Sequence, residues 1–418
     1  MRWGIALLIA LLPSVAGAES LVQGDGDDDF EALARALQKY GGVGSFSNGL
    51  AKVENGGRWG LINIRGEEVV PCKYEEIYEF SEGFAAVCLD GKCGLINTRG
   101  EEVVPCKYDA IGLDFPGEGG IMGCMGGFSE GLAPVWLDDN GGFNYKCGFV
   151  NTRGEEVIPC KYVSANPFSE GMAAVWLMDY GWGFVNEKGE QIVPCKYDEA
   201  GNFSDGLAYI SRDFKYGFVN ARGEEAIPCQ YDWAEDFSDG LAAVLLGDKL
   251  GYINTRGEEV IPCRYDDAKA FSGGVAAVQL GDKWGLINTR GEEIVPCKYD
   301  GVNDFSDGMI AVRVGDKEAG KWGFVNAQGE EVVPCKYDWV ENFSDGMAIV
   351  VIGGETSLYD GEAYHDGGKC GFVNEKGEEV VRCQYDGADS FSEGMAAVRL
   401  YGKSGYVNKQ GRDTFSVK

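Results

Sequence analysis

Residues 237–270 read FSDGLAAVLLGDKLGYINTRGEEVIPCRYDDAKA. Short apolar runs alternate with glycine-bearing turns, and none keeps the period of an amphipathic helix. The run 241–246 predicts a first strand, closed by Gly247-Asp248-Lys249. Residues 250–254 predict a second, closed by Thr255-Arg256-Gly257, and residues 259–265 predict a third. Asn254 and Gly257 suit the second turn, because glycine accepts the positive φ that hairpin turns require. In the third strand Ile261, Cys263 and Tyr265 share one face, with Val260 and Pro262 on the other. Both faces are largely apolar, so neighbours are expected on both sides. The proline suits an edge strand, where its missing N–H leaves no gap in a ladder.

The same pattern recurs along the chain. Its Phe marker stands at Phe46, Phe80, Phe128, Phe168, Phe203, Phe237, Phe271, Phe305, Phe343 and Phe391, most often 34 residues apart, which makes ten units. A unit of this size cannot bury its own apolar face and must stack on its neighbours. Lys283-Trp284-Gly285, Asn288, Gly291, Pro296, Tyr299, Asp300 and Phe305-Ser306-Asp307-Gly308 together resemble the WG-repeat (KWG-type repeat) family of bacterial proteins, and Lys321-Trp322-Gly323 opens a second clear copy. The resemblance covers residues 46–418. It implies a β-rich repeat array without an assigned biochemical activity, and it carries no catalytic residues. The expected fold is all-β, a tandem array of about ten three-stranded units of ~34 residues. A propeller-like ring is favoured, with an open β-solenoid or superhelix as the alternative.

Ahead of the array, residues 1–18 have the layout of a secretory signal peptide: Arg2, an apolar stretch and a small-residue ending at Ala16-Gly17-Ala18. Residues 19–45 form an acidic leader with a short helix expected from Asp29 to Tyr40, its Phe30, Leu33 and Leu37 on one face and Gly41 as its stop. The expected location is therefore secreted or extracytoplasmic, in the periplasm or at the cell surface, without membrane insertion. A net charge of −30 argues against nucleic acid or anionic membranes as partners. One His in 418 residues excludes His-based zinc sites and Ser-His or Cys-His catalysis. The acidic run from Asp25 lacks the spacing of a calcium loop, and His365 reads as a solvated residue of an inserted turn. No cofactor, metal or catalytic residue is expected.

The chain has 14 Cys, and nine recur on the third strand: Cys72, Cys106, Cys160, Cys195, Cys229, Cys263, Cys297, Cys335 and Cys383. These read as small buried hydrophobes, too far from unit to unit for disulfides. Cys93, Cys147 and Cys370 replace the Trp of the WG pair, each 13 residues before a ladder thiol. A simple hairpin register predicts the disulfides Cys93–Cys106, Cys147–Cys160 and Cys370–Cys383, with Cys88–Cys124 as a fourth pair. Trp59, Trp182, Trp284 and Trp322 read as core, whereas Trp136, Trp176, Trp233 and Trp339 are candidates for ligand binding. Extended turns between first and second strands are expected to decorate one rim. The sequence thus points to a non-enzymatic exported scaffold binding a protein or a glycan. The alternatives are a carbohydrate-active enzyme using paired carboxylates, or a structural spacer.

Overall fold

The computed structural model describes residues 26–112, 127–138, 145–359 and 362–416. The signal peptide, the start of the leader and Cys124 lie outside them. The array is a closed ring of ten blades, settling the choice between ring and solenoid. Within residues 237–270 the strands are Leu241–Leu246, Lys249–Asn254 and Glu259–Tyr265. A two-residue strand, Trp233–Ala234, pairs with the first of these and makes the blade four-stranded. Nine blades have this four-stranded form, and the tenth has three strands among the described residues.

The short strands stand on the axis side, where neighbouring blades crowd. Just beyond them Asn166 Nδ2 donates to Asn202 Oδ1 of the next blade at 3.1 Å, and Lys269 Nζ reaches Asp304 Oδ1 at 2.7 Å. The seven-residue strands end the sheets on the outside. Their proline positions confirm an edge, but the second apolar face is only partly covered: Val260 is 38% exposed and Pro262 is open to solvent, while the equivalent Val69, Val103 and Val380 are half-buried against neighbours.

Two devices explain the recurrent motifs. The Phe-Ser-Asp/Glu-Gly segment is a latch between blades. Ser238 Oγ donates to the Phe271 carbonyl of the next blade at 2.6 Å, and the Gly274 N–H donates to Asp239 Oδ2 at 2.8 Å. Asp239 holds φ at +54° and Gly240 at +77°, the pair of positive angles of a tight hairpin turn. The Lys that opens the third strand of the sheet and the Asp that follows the fourth form the second device. Lys249 pairs with Asp266, whose other oxygen accepts the Gly281 N–H at 2.7 Å. That ammonium, with the N–H, holds the Asp266 carboxyl below its usual range.

The first and last blades meet by the same step as any other two. Tyr406 packs on Phe46 at 5.0 Å as Tyr252 packs on Phe271 at 4.7 Å. Tyr406 Oη donates to the Gly44 carbonyl at 2.6 Å as Tyr252 Oη donates to Lys269 at 2.6 Å. The Gly49 N–H meets Glu393 Oε2 at 2.8 Å, the same latch across 344 residues of chain. Removing that acceptor with Glu393→Ala is expected to lower stability by about 1 kcal/mol, with Glu393→Gln retaining most of it, in urea unfolding of the two variants.

The predicted helix is present as Gly26–Ala36, continued by a turn of 3₁₀ helix at Leu37–Lys39. In blade 10 the C-terminal residues 413–415 begin to take the place of the outer strand, with Asp413 bridged to Val407, and the helix packs where the next blade would meet that strand. In nine blades the glycine of the Asn-turn packs on the previous blade's outer strand, as Gly257 does on Ile227 and Gly411 on Val380 and Val381. Gly66 of the first blade instead packs on Leu33 and Ala36 of the helix. Phe30, Leu33 and Leu37 share a core with Phe46 and Ala51 of blade 1 and with Met395 and Tyr406 of blade 10.

Candidate functional site

Each blade carries a row of side chains near the rim opposite the latches, one from each strand. In blade 6 the register gives Trp233, Leu245, Leu250 and Tyr265. The third position is that of the WG tryptophan. The next register pair, Tyr252 with Ile261, shows that the outer strand spends four residues where the third strand spends two. This bulge carries Cys263 across the glycine, so that its Sγ lies 3.9 Å from the Val244 carbonyl of the second strand.

The bulge corrects the predicted disulfides. Cys93 stands opposite Tyr108 rather than beside Cys106, whose sulfur instead meets the Val87 carbonyl at 3.7 Å. The residue across from Cys93 on the second strand is Cys88, and these two form the disulfide. Cys106, Cys147, Cys160, Cys370 and Cys383 are not joined in disulfides, so none of the three expected hairpin pairs is formed. Burial, with the neighbouring Cys160, pushes the Cys147 thiol well above its usual range.

Where the WG position holds Cys, the row is filled in another way. Cys147 faces Trp136, which is 0% exposed; this candidate binding residue is core and cannot meet a ligand. Cys370 belongs to the row that begins with Trp339. Leu250, also smaller than Trp, shares its row with Trp233. Trp176 stacks on Trp182 of its own blade at 6.4 Å. In blades 3, 6 and 9 the indole thus changes strand, whereas the row of blade 2 is Glu76, Cys88, Cys93 and Tyr108, with the disulfide in place of an indole.

Blade 10 has neither an aromatic nor a disulfide at these positions, and a cleft results. Its row is Gly387, Arg399 and Ser404. With no aromatic there, an opening of about 550 Å³ lies between Trp339 of blade 9 and Trp59 of blade 1. Both indoles are half-buried. Glu341, Asp386, Asp389 and Arg399 supply polar groups. Trp339 Nε1 donates to Glu341 Oε1 at 2.9 Å, which fixes the ring edge. The Lys369 ammonium and the Tyr401 N–H hold the Asp386 carboxyl below its usual range. A Cβ at Gly387 would lie 2.8 Å from Arg399 Nη2, so glycine lets the guanidinium lie across the row.

The structure brings Trp339 to this cleft and Trp233 to a separate pocket between blades 5 and 6. Trp59, assigned to the core from sequence, is a wall of the cleft. Arg399, Asp389 and Glu341 also escaped the sequence reading. The available signal was the shortage of bulk at Gly387 and Ser404 against the repeat. The largest inserted turn, in blade 9, folds into a hairpin of Glu355–Tyr359 and Glu362–Asp366, with His365 opposite Thr356. Among the described residues no group of three or more His, Cys, Asp or Glu is placed to hold a metal ion, and no helix is long and apolar enough to cross a membrane.

Ten like blades, latched around an axis and closed on themselves, define a tandem-repeat β-propeller. The chain belongs to the family of the WG containing repeat, whose model matches residues 38–59, 59–93, 94–119, 148–175, 182–213, 216–249, 251–284, 284–317, 322–355 and 371–403. No curated protein matches it. Among solved structures it is similar to a eukaryotic initiation factor at 11% identity and a TM-score of 0.47, covering 77% of this chain and 92% of that one. It is also similar to BamB from Moraxella catarrhalis at 11% identity and a TM-score of 0.35, covering 66% and 93%. Likenesses of this size say nothing about ligand or partner.

Proposed function

We propose that this protein is a non-enzymatic, exported scaffold that binds a glycan at or outside the cell surface, with the cleft of blades 9, 10 and 1 as its docking point. The observation that carries this reading is the pair of half-buried indoles, Trp59 and Trp339, on either side of a polar floor. Sugar rings present apolar C–H faces and a rim of hydroxyls. Aromatic walls match the first, and Arg399, Asp389 and Glu341 offer donors and acceptors to the second. Arg399 lies among Glu341, Asp386 and Asp389, so hydrogen-bond donors and acceptors both line the cleft. The N-terminal signal-like segment and the Cys88–Cys93 disulfide support export.

A glycan array probed with the mature protein is the direct test. Trp59→Ala and Trp339→Ala are each expected to weaken binding of any hit by about tenfold or more, since each removes one stacking wall. Hits that survive both substitutions, or a blank array with a protein captured through this cleft instead, would overturn the glycan assignment.

A further inference from the structure

A second pocket has different chemistry. It lies between blades 5 and 6, on the axis side of the ring, with a volume of about 360 Å³. Tyr209, Tyr216 and Trp233 contribute aromatic surface, and Glu199, Glu235 and Asp236 contribute carboxylates. No Lys, Arg or His lines it. The nearest cation, Lys269, is engaged by Asp304 of the next blade.

We propose that this pocket binds an organic cation, the ammonium or guanidinium head of a Lys or Arg side chain presented by a basic segment of a partner protein.

Two features select a cation over a sugar. Glu235 Oε2 and Asp236 Oδ1 are buried and accept no hydrogen bond among the described residues, and Asp236 has only the Asn202 N–H at 3.3 Å on its other oxygen, so no cation contacts either carboxylate directly. Burial pushes Asp236 up to about 6 and raises Glu235 as well, the behaviour of carboxylates short of a counter-charge. A neutral ligand leaves that deficit in place, whereas an ammonium removes it. The aromatic surfaces add attraction for a cation over their faces. Tyr216 Oη donates to Glu199 Oε2 at 2.6 Å, fixing one carboxylate in the wall.

The pocket is also specific to these blades. At Gly201 a Cβ would lie 2.3 Å from both Asp236 Oδ1 and the Tyr209 ring, so glycine in blade 5 is what lets Asp236 and Tyr209 pack together. An inorganic ion fits less well, because no metal-holding group of His, Cys, Asp or Glu exists among the described residues. The net charge of −30 steers basic partners toward the ring from a distance.

The test is calorimetric titration of the full mature chain with three probes: a short lysine-rich peptide, the same peptide with its lysines acetylated, and spermidine. The lysine-rich peptide is expected to bind, and acetylation to weaken it at least tenfold. The shape-preserving double variant Glu235→Gln/Asp236→Asn is expected to lose binding to the same extent, and Trp59→Ala in the other cleft to leave it unchanged. Equal binding of the acetylated peptide, no effect of the double variant, or no binding of either cation would overturn the proposal. Binding of spermidine without the peptide would overturn its assignment to a protein segment. Because the glycan cleft is tested by other variants and another ligand, failure of one reading is distinguishable from failure of the other.

Discussion

Replacing Gly251 with alanine is expected to lower stability by about 3 kcal/mol, the upper range for forcing atoms into a packed site. A Cβ at this position would stand 2.5 Å from the Ile261 carbonyl oxygen, 2.6 Å from the Cys263 nitrogen and 2.8 Å from the Cys263 Cα. All three are backbone atoms of the outer strand, so no change of rotamer relieves the contact. The strand itself must move, and with it the Cys263 thiol and the Tyr265 ring that close the blade. The comparison that isolates this cause is Gly247→Ala. Gly247 has φ at +67° and open space where its Cβ would be, so it incurs only left-handed strain, about 1 kcal/mol. Urea unfolding of the two variants should separate them clearly. Equal losses would mean that the bulge does not press on the WG glycine. The contact recurs at Gly60, Gly94, Gly148, Gly183, Gly217, Gly285, Gly323 and Gly371, always against the outer strand. That explains why glycine persists after Trp, Cys, Leu or Tyr alike.

The second large effect is expected at the ring closure. Leu33 is 0% exposed and sits where the helix packs between blades 10 and 1. Leu33→Ala should lower stability by about 3 kcal/mol through lost burial and the cavity left behind. Its distribution matters more than its size. In a repeat array each blade contacts only its neighbours, so weakening one junction opens the ring there first. Hydrogen exchange should show faster amide exchange in blades 1 and 10, with blades 4 to 7 protected as before. Uniform loss of protection around the ring would instead mean that it unfolds as one unit, and that the helix is not a separate clasp.

Much of the blade was legible in a single repeat. Leu241–Leu246 and Glu259–Tyr265 match the predicted strands, and Lys249–Asn254 starts one residue earlier. Trp233–Ala234 was not seen, because two residues carry no periodicity and their pairing is made with a later strand. The candidate site was legible only in fragments. Trp339 was chosen for following the Tyr-Asp pair, but so was Trp233, and the structure sends the two to different pockets. Trp136 and Trp176 looked equivalent at the ends of first strands. One is sealed under Cys147, and the other is half-buried against Trp182. The disulfides failed on register: a bulge of two extra residues moves Cys106 away from Cys93, and nothing in thirteen-residue spacing announces it.

The sequence by itself determined the unit: its strands, its positive-φ turns, the edge proline and the stacking of one blade on the next. Those features depend on interactions within about 34 residues, which every copy repeats. Only the tertiary structure decided that ten such units close, that a helix packs between blades 10 and 1, and that Trp59 and Trp339 face one cleft across blade 10. Closure is the sum of ten small rotations, and its contacts, such as Gly49 with Glu393, join residues 344 apart. No single repeat encodes that sum. The cleft exists because the blade with the least bulk in its row lies at that closing junction.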